Sequence, residues 1–203
     1  MKNTVLLIAF LISLYMSPIH AQQREEVEEK FFVGSTLFVL ANLTPANPEY
    51  YQLNVGYRIT PKDVLSAELI TWTYEGPLGR QYGPDFDNPD SNFPGFVRAY
   101  GGGLAYKRFL WKRRLYVQIH STALKQDYMD ENGTKIQSGF QLFNVGRVGY
   151  QFRFWEDRIF LEPSVAITSW PVNTNLPESF QVFEDQFPKY FLAEPGLHIG
   201  FNF

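Results

Sequence analysis

The chain has 203 residues, a net charge of −3 and no cysteine; 17% of residues are aromatic and 19% charged. The lack of cysteine excludes disulfides, zinc–thiolate sites, thiol nucleophiles and a lipoprotein anchor. The slightly acidic balance excludes the basic patch that nucleic-acid binding needs, and the length fits one domain.

In chain order, residues 1–21 have the layout of a signal peptide. Lys2 gives the positive start, Val5 to Tyr15 the apolar stretch, and Ala21 a small residue before the expected cut. The apolar run is short for a membrane-spanning helix of about 20 residues. Residues 22–30, rich in Glu, read as a short polar lead-in. From Phe31 onward strand signals recur, with β-branched and aromatic residues in period-2 alternation broken by Gly, Pro and Asp. Eight runs are expected, at 31–41, 50–60, 64–74, 96–107, 114–128, 139–154, 158–170 and 189–203. Most reach the length of about 9–11 residues that a tilted membrane strand needs. Short connections (61–63, 108–113, 155–157) alternate with longer ones (42–49, 75–95, 129–138, 171–188). An outer-membrane barrel alternates short periplasmic turns with longer outer loops in this way.

The faces can be assigned from parity. In the last strand Phe191, Ala193, Pro195, Leu197, Ile199, Phe201 and Phe203 share the expected lipid face; Tyr190, Leu192, Glu194, Gly196, His198, Gly200 and Asn202 share the inner one. Tyr51, Leu53, Val55, Tyr57 and Ile59 point outward in the second strand, against Gln52, Asn54, Gly56, Arg58 and Thr60. The fourth and sixth are ambiguous; in the fourth, glycine lies on both faces, and Tyr100, Leu104 and Tyr106 are preferred as outward. Charges on the polar face argue against a soluble barrel around a greasy cavity.

These features, with the closing stretch Gly196-Leu197-His198-Ile199-Gly200-Phe201-Asn202-Phe203, resemble the eight-stranded outer-membrane barrels of the OmpA/OmpX type over residues 31–203. The resemblance implies an all-β, eight-stranded antiparallel up-and-down transmembrane barrel with four longer outer loops. It also implies a monomer in the cell outer membrane, in contact with lipid and lipopolysaccharide. Leu197, Ile199, Phe201 and Phe203 then form the signal read by the barrel-assembly machinery.

An eight-stranded barrel is filled by its side chains, and isolated buried charges are costly. One interior network of Arg58, Glu68, His120, Arg147, Glu162, Glu194 and His198 is therefore expected, with Arg58 near Ser66 and diagonal to Glu68, and Arg147 near Glu162 and Ser164. The leading expectation is a non-enzymatic structural or surface-interaction protein, plugged by this network, needing no metal or cofactor, and offering its loops to an extracellular ligand. The alternatives are a narrow solute or proton channel and a lipid-modifying enzyme. A lipid A deacylase uses a His and a Ser two residues apart on the lipid face plus an acid. Here His120 and Ser121 are adjacent and point to opposite faces. Loop acids (Asp85, Asp87, Asp90, Asp130, Glu131, Glu178, Glu184, Asp185) lack the Gly and closing Glu of an EF-hand loop. Loop aromatics (Tyr82, Phe86, Phe93, Phe180, Phe183) suit either a partner or a cover over the mouth. Lys107, Arg108, Lys112, Arg113 and Arg114 read as a basic rim at the short-turn end, facing anionic headgroups.

Overall fold

A computed structural model describes residues 29–203; the expected signal peptide and residues 22–28 of the lead-in lie outside the described residues. The strands are β1 (Phe31–Thr36), β2 (Tyr51–Arg58), β3 (Asp63–Tyr74), β4 (Phe96–Trp111), β5 (Leu115–Met129), β6 (Lys135–Tyr150), β7 (Phe152–Phe154), β8 (Ile159–Thr174) and β9 (Tyr190–Asn202). Consecutive strands pair antiparallel, except that β6 and β7 both pair with β8, and β1 pairs with β9, so the sheet closes in a ring. β7 continues β6 past Gln151 and keeps the same register on β8, so the ring has eight staves. No helix among the described residues is long and apolar enough to cross a membrane.

The short turns follow from local chemistry. Lys112 and Arg113 take positive φ between β4 and β5, as do Trp155, Glu156 and Asp157 between β7 and β8. That backbone matches the twist of a tight hairpin. Between β2 and β3, the Thr60 hydroxyl donates to Asp63 Oδ2 (2.6 Å) and accepts from the Asp63 N–H (3.0 Å).

Several expectations are corrected at the opposite end. The first strand stops at Thr36, not 41. Thr36 Oγ1 accepts from the Phe38 N–H (3.2 Å) and caps a 3-10 helix, Leu37–Leu43. A short apolar run does not by itself distinguish strand from helix. The connection expected at 129–138 is a hairpin of residues 130–134. Asp130 Oδ1 accepts from Asn132 N and Thr134 N there, and Gly133 takes φ +78°. Three long connections therefore remain rather than four. The last of them carries a short helix, α1 (Glu178–Glu184).

Parity holds along β2, where Tyr51, Leu53, Val55, Tyr57 and Ile59 are exposed, and in β4 for Tyr100 and Leu104. In β9 it holds from Glu194 to Phe203 but reverses before it. Ala193 has φ +60°, and the register slips between Ala166 and Thr168 of β8. This bulge turns Phe191 inward and leaves Tyr190 and Leu192 outside, opposite to the expectation.

Both ends of the ring are packed with aromatics. Val64, Phe109 and Tyr116, with Phe32, fill the short-turn end. Phe93, Val97, Tyr128 and Phe180 fill the long-loop end, so Phe93 and Phe180 cover the mouth. Glycines admit the lower rings. A Cβ on Gly200 would lie 2.1 Å from Phe160 Cζ, and one on Gly56 would lie 1.9 Å from Phe32 Cε1. A Cβ on Gly146 would meet nothing within 4 Å. Gly200→Val is therefore expected to cost about 1–3 kcal/mol by overpacking, and Gly146→Ala no more than about 0.5 kcal/mol. Unfolding midpoints in urea check the contrast.

Candidate functional site

The inward side chains form three levels. At the short-turn level, outward Tyr106 sets the parity that turns Lys107 inward. Its ammonium lies 2.6 and 2.7 Å from the two carboxylate oxygens of Glu162. The rings of Phe32, Phe109, Tyr116 and Phe160 lie around it, their centroids 4.5 to 6.0 Å away. Cation–π attraction of this kind strengthens when water is excluded. Gln151 Nε2 donates to Glu162 Oε1 (2.8 Å), and Gln151 Oε1 accepts from Arg153 Nε (2.6 Å). Arg58 lies at the same end. Its Nε donates to the Glu29 carbonyl (3.4 Å), and its guanidinium lies 5.8 Å from the Phe109 centroid.

At the middle level, Glu68 is the hub. Gln52 Nε2 donates to its Oε2 (2.7 Å), Thr122 Oγ1 donates to its Oε1 (3.0 Å), and His120 Nε2 lies 3.0 Å from Oε1. Tyr50 extends this chain by donating to Gln52 Oε1 (2.5 Å). Across the interior, Arg147 Nη1 donates to Ser164 Oγ (3.0 Å) and lies 3.2 Å from both ring nitrogens of His198. Glu194 interacts with Arg147 and Thr168. Arg147 Nε is buried and has no hydrogen-bond partner among the described residues.

At the long-loop level, Gln126 Nε2 donates to Tyr74 Oη (2.6 Å), and Gln126 Oε1 accepts from the Tyr128 hydroxyl (2.9 Å). Trp170 Nε1 and Asn173 Nδ2 both donate to Glu184 Oε1, at 3.0 and 3.2 Å, and seat α1 over the ring. Burial raises the Glu184 carboxyl above its ordinary range, only partly offset by these two donors.

Two corrections concern the expected interior network. Arg58 pairs with Val64, while Glu68 sits opposite Asn54, because the β2–β3 turn is centred one residue earlier than the Pro61–Asp63 reading. Lys107, expected on a basic rim, is interior and takes Glu162. Arg147 reaches Ser164 as expected, but Glu162 bonds Lys107 instead. Glu68 and His120 are joined directly, as are Arg147, His198 and Glu194. Arg58 and Glu162 belong to the level below. The polarity of Lys107 could have been read from the parity of Tyr106; its partner could not, because β4 and β8 are not neighbours.

A cavity of about 800 Å³ extends upward from the short-turn level, where Lys107 and Glu162 line its base. Its floor runs from that pair up to Glu68, His120, Arg147, Glu194 and His198, and its upper walls carry Trp72, Phe143, Trp170 and Phe191. That volume falls within the range of small-molecule sites. Hydrolytic relay chemistry is not built here. His120 Nε2 faces both Thr122 (2.8 Å) and Glu68, whereas a relay uses the two ring nitrogens for nucleophile and acid. Ser121 lies on the outer surface, bonded to Asn144 Oδ1 (2.6 Å). No group of three or more metal-ligating side chains converges among the described residues.

Leu197, Ile199, Phe201 and Phe203 all lie exposed on the outer face, and Phe203 stacks on Phe31 (6.1 Å). No protein-family model, curated protein or solved structure matches the chain.

Two outcomes follow from the paired charges. Lys107→Met strips the buried Glu162 carboxylate of its cation and is expected to cost about 3–5 kcal/mol. A Lys107→Met/Glu162→Leu double variant should recover most of it; urea titrations of the three proteins measure this. Glu184 holds its proton more tightly folded than unfolded. Its contribution is thus complete below the ordinary value of 4.5 and lost as pH rises through the raised one. The urea midpoint should fall over that window, and Glu184→Gln should remove the slope.

Proposed function

We propose that the ring is a β-barrel of the outer membrane, sealed at its short-turn end, that acts without catalysis and presents its long-loop end to the exterior. The observation that carries this is the inverted polarity of the closed sheet. Charged groups are paired inside, while Leu53, Leu69, Leu104, Ile119, Val165 and Ile167 stand exposed on the outer wall. In water so continuous an apolar surface is a liability; in a bilayer it is the surface a spanning sheet requires. Aromatic residues gather near the strand ends of this wall. Phe31, Trp111, Phe154, Trp155 and Phe203 stand at the short-turn end, and Tyr51, Phe140 and Tyr190 at the other. Interfacial girdles have this placement.

The sealing role falls to Lys107, Glu162 and the four rings around the ammonium. An ion passing this level would have to break the pair in a low-dielectric setting. On this reading the partners are membrane lipid, lipopolysaccharide at the outer rim, and the assembly machinery acting on Leu197, Ile199, Phe201 and Phe203. The loops act chiefly as a packed cover. Tyr82, Phe86 and Val182 are among the exposed apolar groups they offer to a partner.

Expressed in a Gram-negative host, the protein is expected in the outer-membrane fraction, migrating differently on gels before and after boiling. In planar bilayers it should give no steady pores. Recovery in the soluble fraction would overturn the membrane reading. Steady pores abolished by Glu162→Ala would replace the seal with a channel.

A further inference from the structure

The ring is closed by backbone pairing only along part of its height. β1 meets β2 from Phe31↔Tyr57 to Gly34↔Asn54, and meets β9 from Phe32↔Asn202 to Thr36↔His198. Beyond Thr36 the chain leaves the sheet as the 3-10 helix, so the upper parts of β2 and β9 face each other with no strand between them among the described residues.

Side chains satisfy the two facing edges. The Asn42 amide donates to the Tyr50 carbonyl and accepts from its N–H, both at 2.8 Å, and Ser35 Oγ donates to the Gln52 carbonyl (2.6 Å). On β9, the Gln81 amide donates to the Tyr190 carbonyl (2.7 Å) and accepts from Leu192 N (2.9 Å). Thr36 Oγ1 donates to the Leu197 carbonyl (3.2 Å). Strand alternation gives the next edge-facing N–H to residue 195, which is proline and has none. Side chains thus take the place of strand pairing at these edge groups.

The 800 Å³ cavity reaches this gap. It is bounded by Leu37, Phe38 and Pro48 on one side, and by Pro195 and Leu197 on the other. Phe38, Leu40 and Leu43 of the 3-10 helix are exposed apolar residues of this segment. The path runs from this apolar surface, past aromatic walls, to the polar floor at Glu68, Arg147 and Glu194.

We propose that the cavity binds a single-chain lipid with an uncharged, hydroxyl-bearing head, admitted sideways from the membrane between β2 and β9. The head lies on the floor, accepting from the unpartnered Arg147 Nε and donating to Glu194, and the chain lies along the aromatic walls toward the gap. An anionic head would be disfavoured, since the floor sets two carboxylates, Glu68 and Glu194, against the single Arg147 guanidinium, with Lys107 already taken by Glu162. A cavity of about 800 Å³ suits one chain with a small head rather than a two-chain phospholipid. The inference rests on the membrane reading, and the tryptophans separate the two. Trp72 and Trp170 line the cavity, while Trp111 and Trp155 stand outside at the short-turn end.

The test uses the full chain in bilayers, as a Trp111→Phe/Trp155→Phe variant and a Trp72→Phe/Trp170→Phe variant. Fluorescence quenching is read with tail-brominated monoacylglycerol, brominated palmitate and brominated diacyl phosphatidylcholine. Monoacylglycerol should quench Trp72 and Trp170 saturably, at least tenfold more effectively than palmitate, and the diacyl lipid should not saturate. Gly196→Leu, whose side chain projects toward Arg147 (a Cβ would sit 2.4 Å from Nη1), should lower that affinity at least tenfold. Palmitate binding as well as monoacylglycerol would overturn the head-group assignment. Quenching that never saturates with either single-chain probe would overturn the site. Failure of brominated phospholipid to quench Trp111 and Trp155 would instead overturn the membrane reading.

Discussion

Closure of the sheet between β1 and β9 is the constraint on which the other features depend. Once the first and last staves pair, no long strand edge is left to aggregate, and eight staves enclose a narrow interior that side chains must fill. Every inward charge then meets another inward group at close range. Glycine becomes necessary wherever two rings must share a level, as at Gly56 under Phe32 and Gly200 under Phe160. The rings admitted there surround Lys107, so the choice of glycine on the wall and the stability of the Lys107–Glu162 pair are linked.

The interior is graded along its axis. The short-turn level is tightly packed and holds a desolvated ion pair. The long-loop level is packed by Phe93, Tyr128 and Phe180 and clamped by α1 through Glu184. Between them the middle level is polar on its floor and open above, because two staves lose their common neighbour at Thr36. On the proposed reading, packing at both ends with a break on one side makes access to the chamber lateral rather than axial, and the chamber exchanges with the membrane and not with either aqueous face.

The polar middle level also shows why proximity alone does not make a catalytic site. Glu68, His120 and Thr122 are mutually within 3.0 Å, yet all three contacts converge on one imidazole nitrogen and one carboxylate oxygen. Such a triangle fixes side chains in place and offers hydrogen bonds to a neighbour, but it has no direction along which a proton would be relayed to a substrate.

Period-2 alternation determined which residues of β2 and the later part of β9 face in or out, since a strand has only two faces and polarity marks them; in β4, with glycine on both faces, it left only a preference. The same alternation placed Glu68, His120, Arg147, Glu162, Glu194 and His198 inside, and Tyr106 implied the inward turn of Lys107. Tertiary structure decided the partners. Register depends on where a turn is centred, and a one-residue change between Ile59 and Asp63 moved Arg58 away from Glu68. A single left-handed residue, Ala193, reversed the faces of Phe191 and Leu192, and nothing in its side chain announces that backbone. Lys107 met Glu162 across non-adjacent strands, which local pattern does not encode. The gap above Thr36 likewise arose from three distant segments, residues 37–43, 81 and 195, brought together only by closure of the ring.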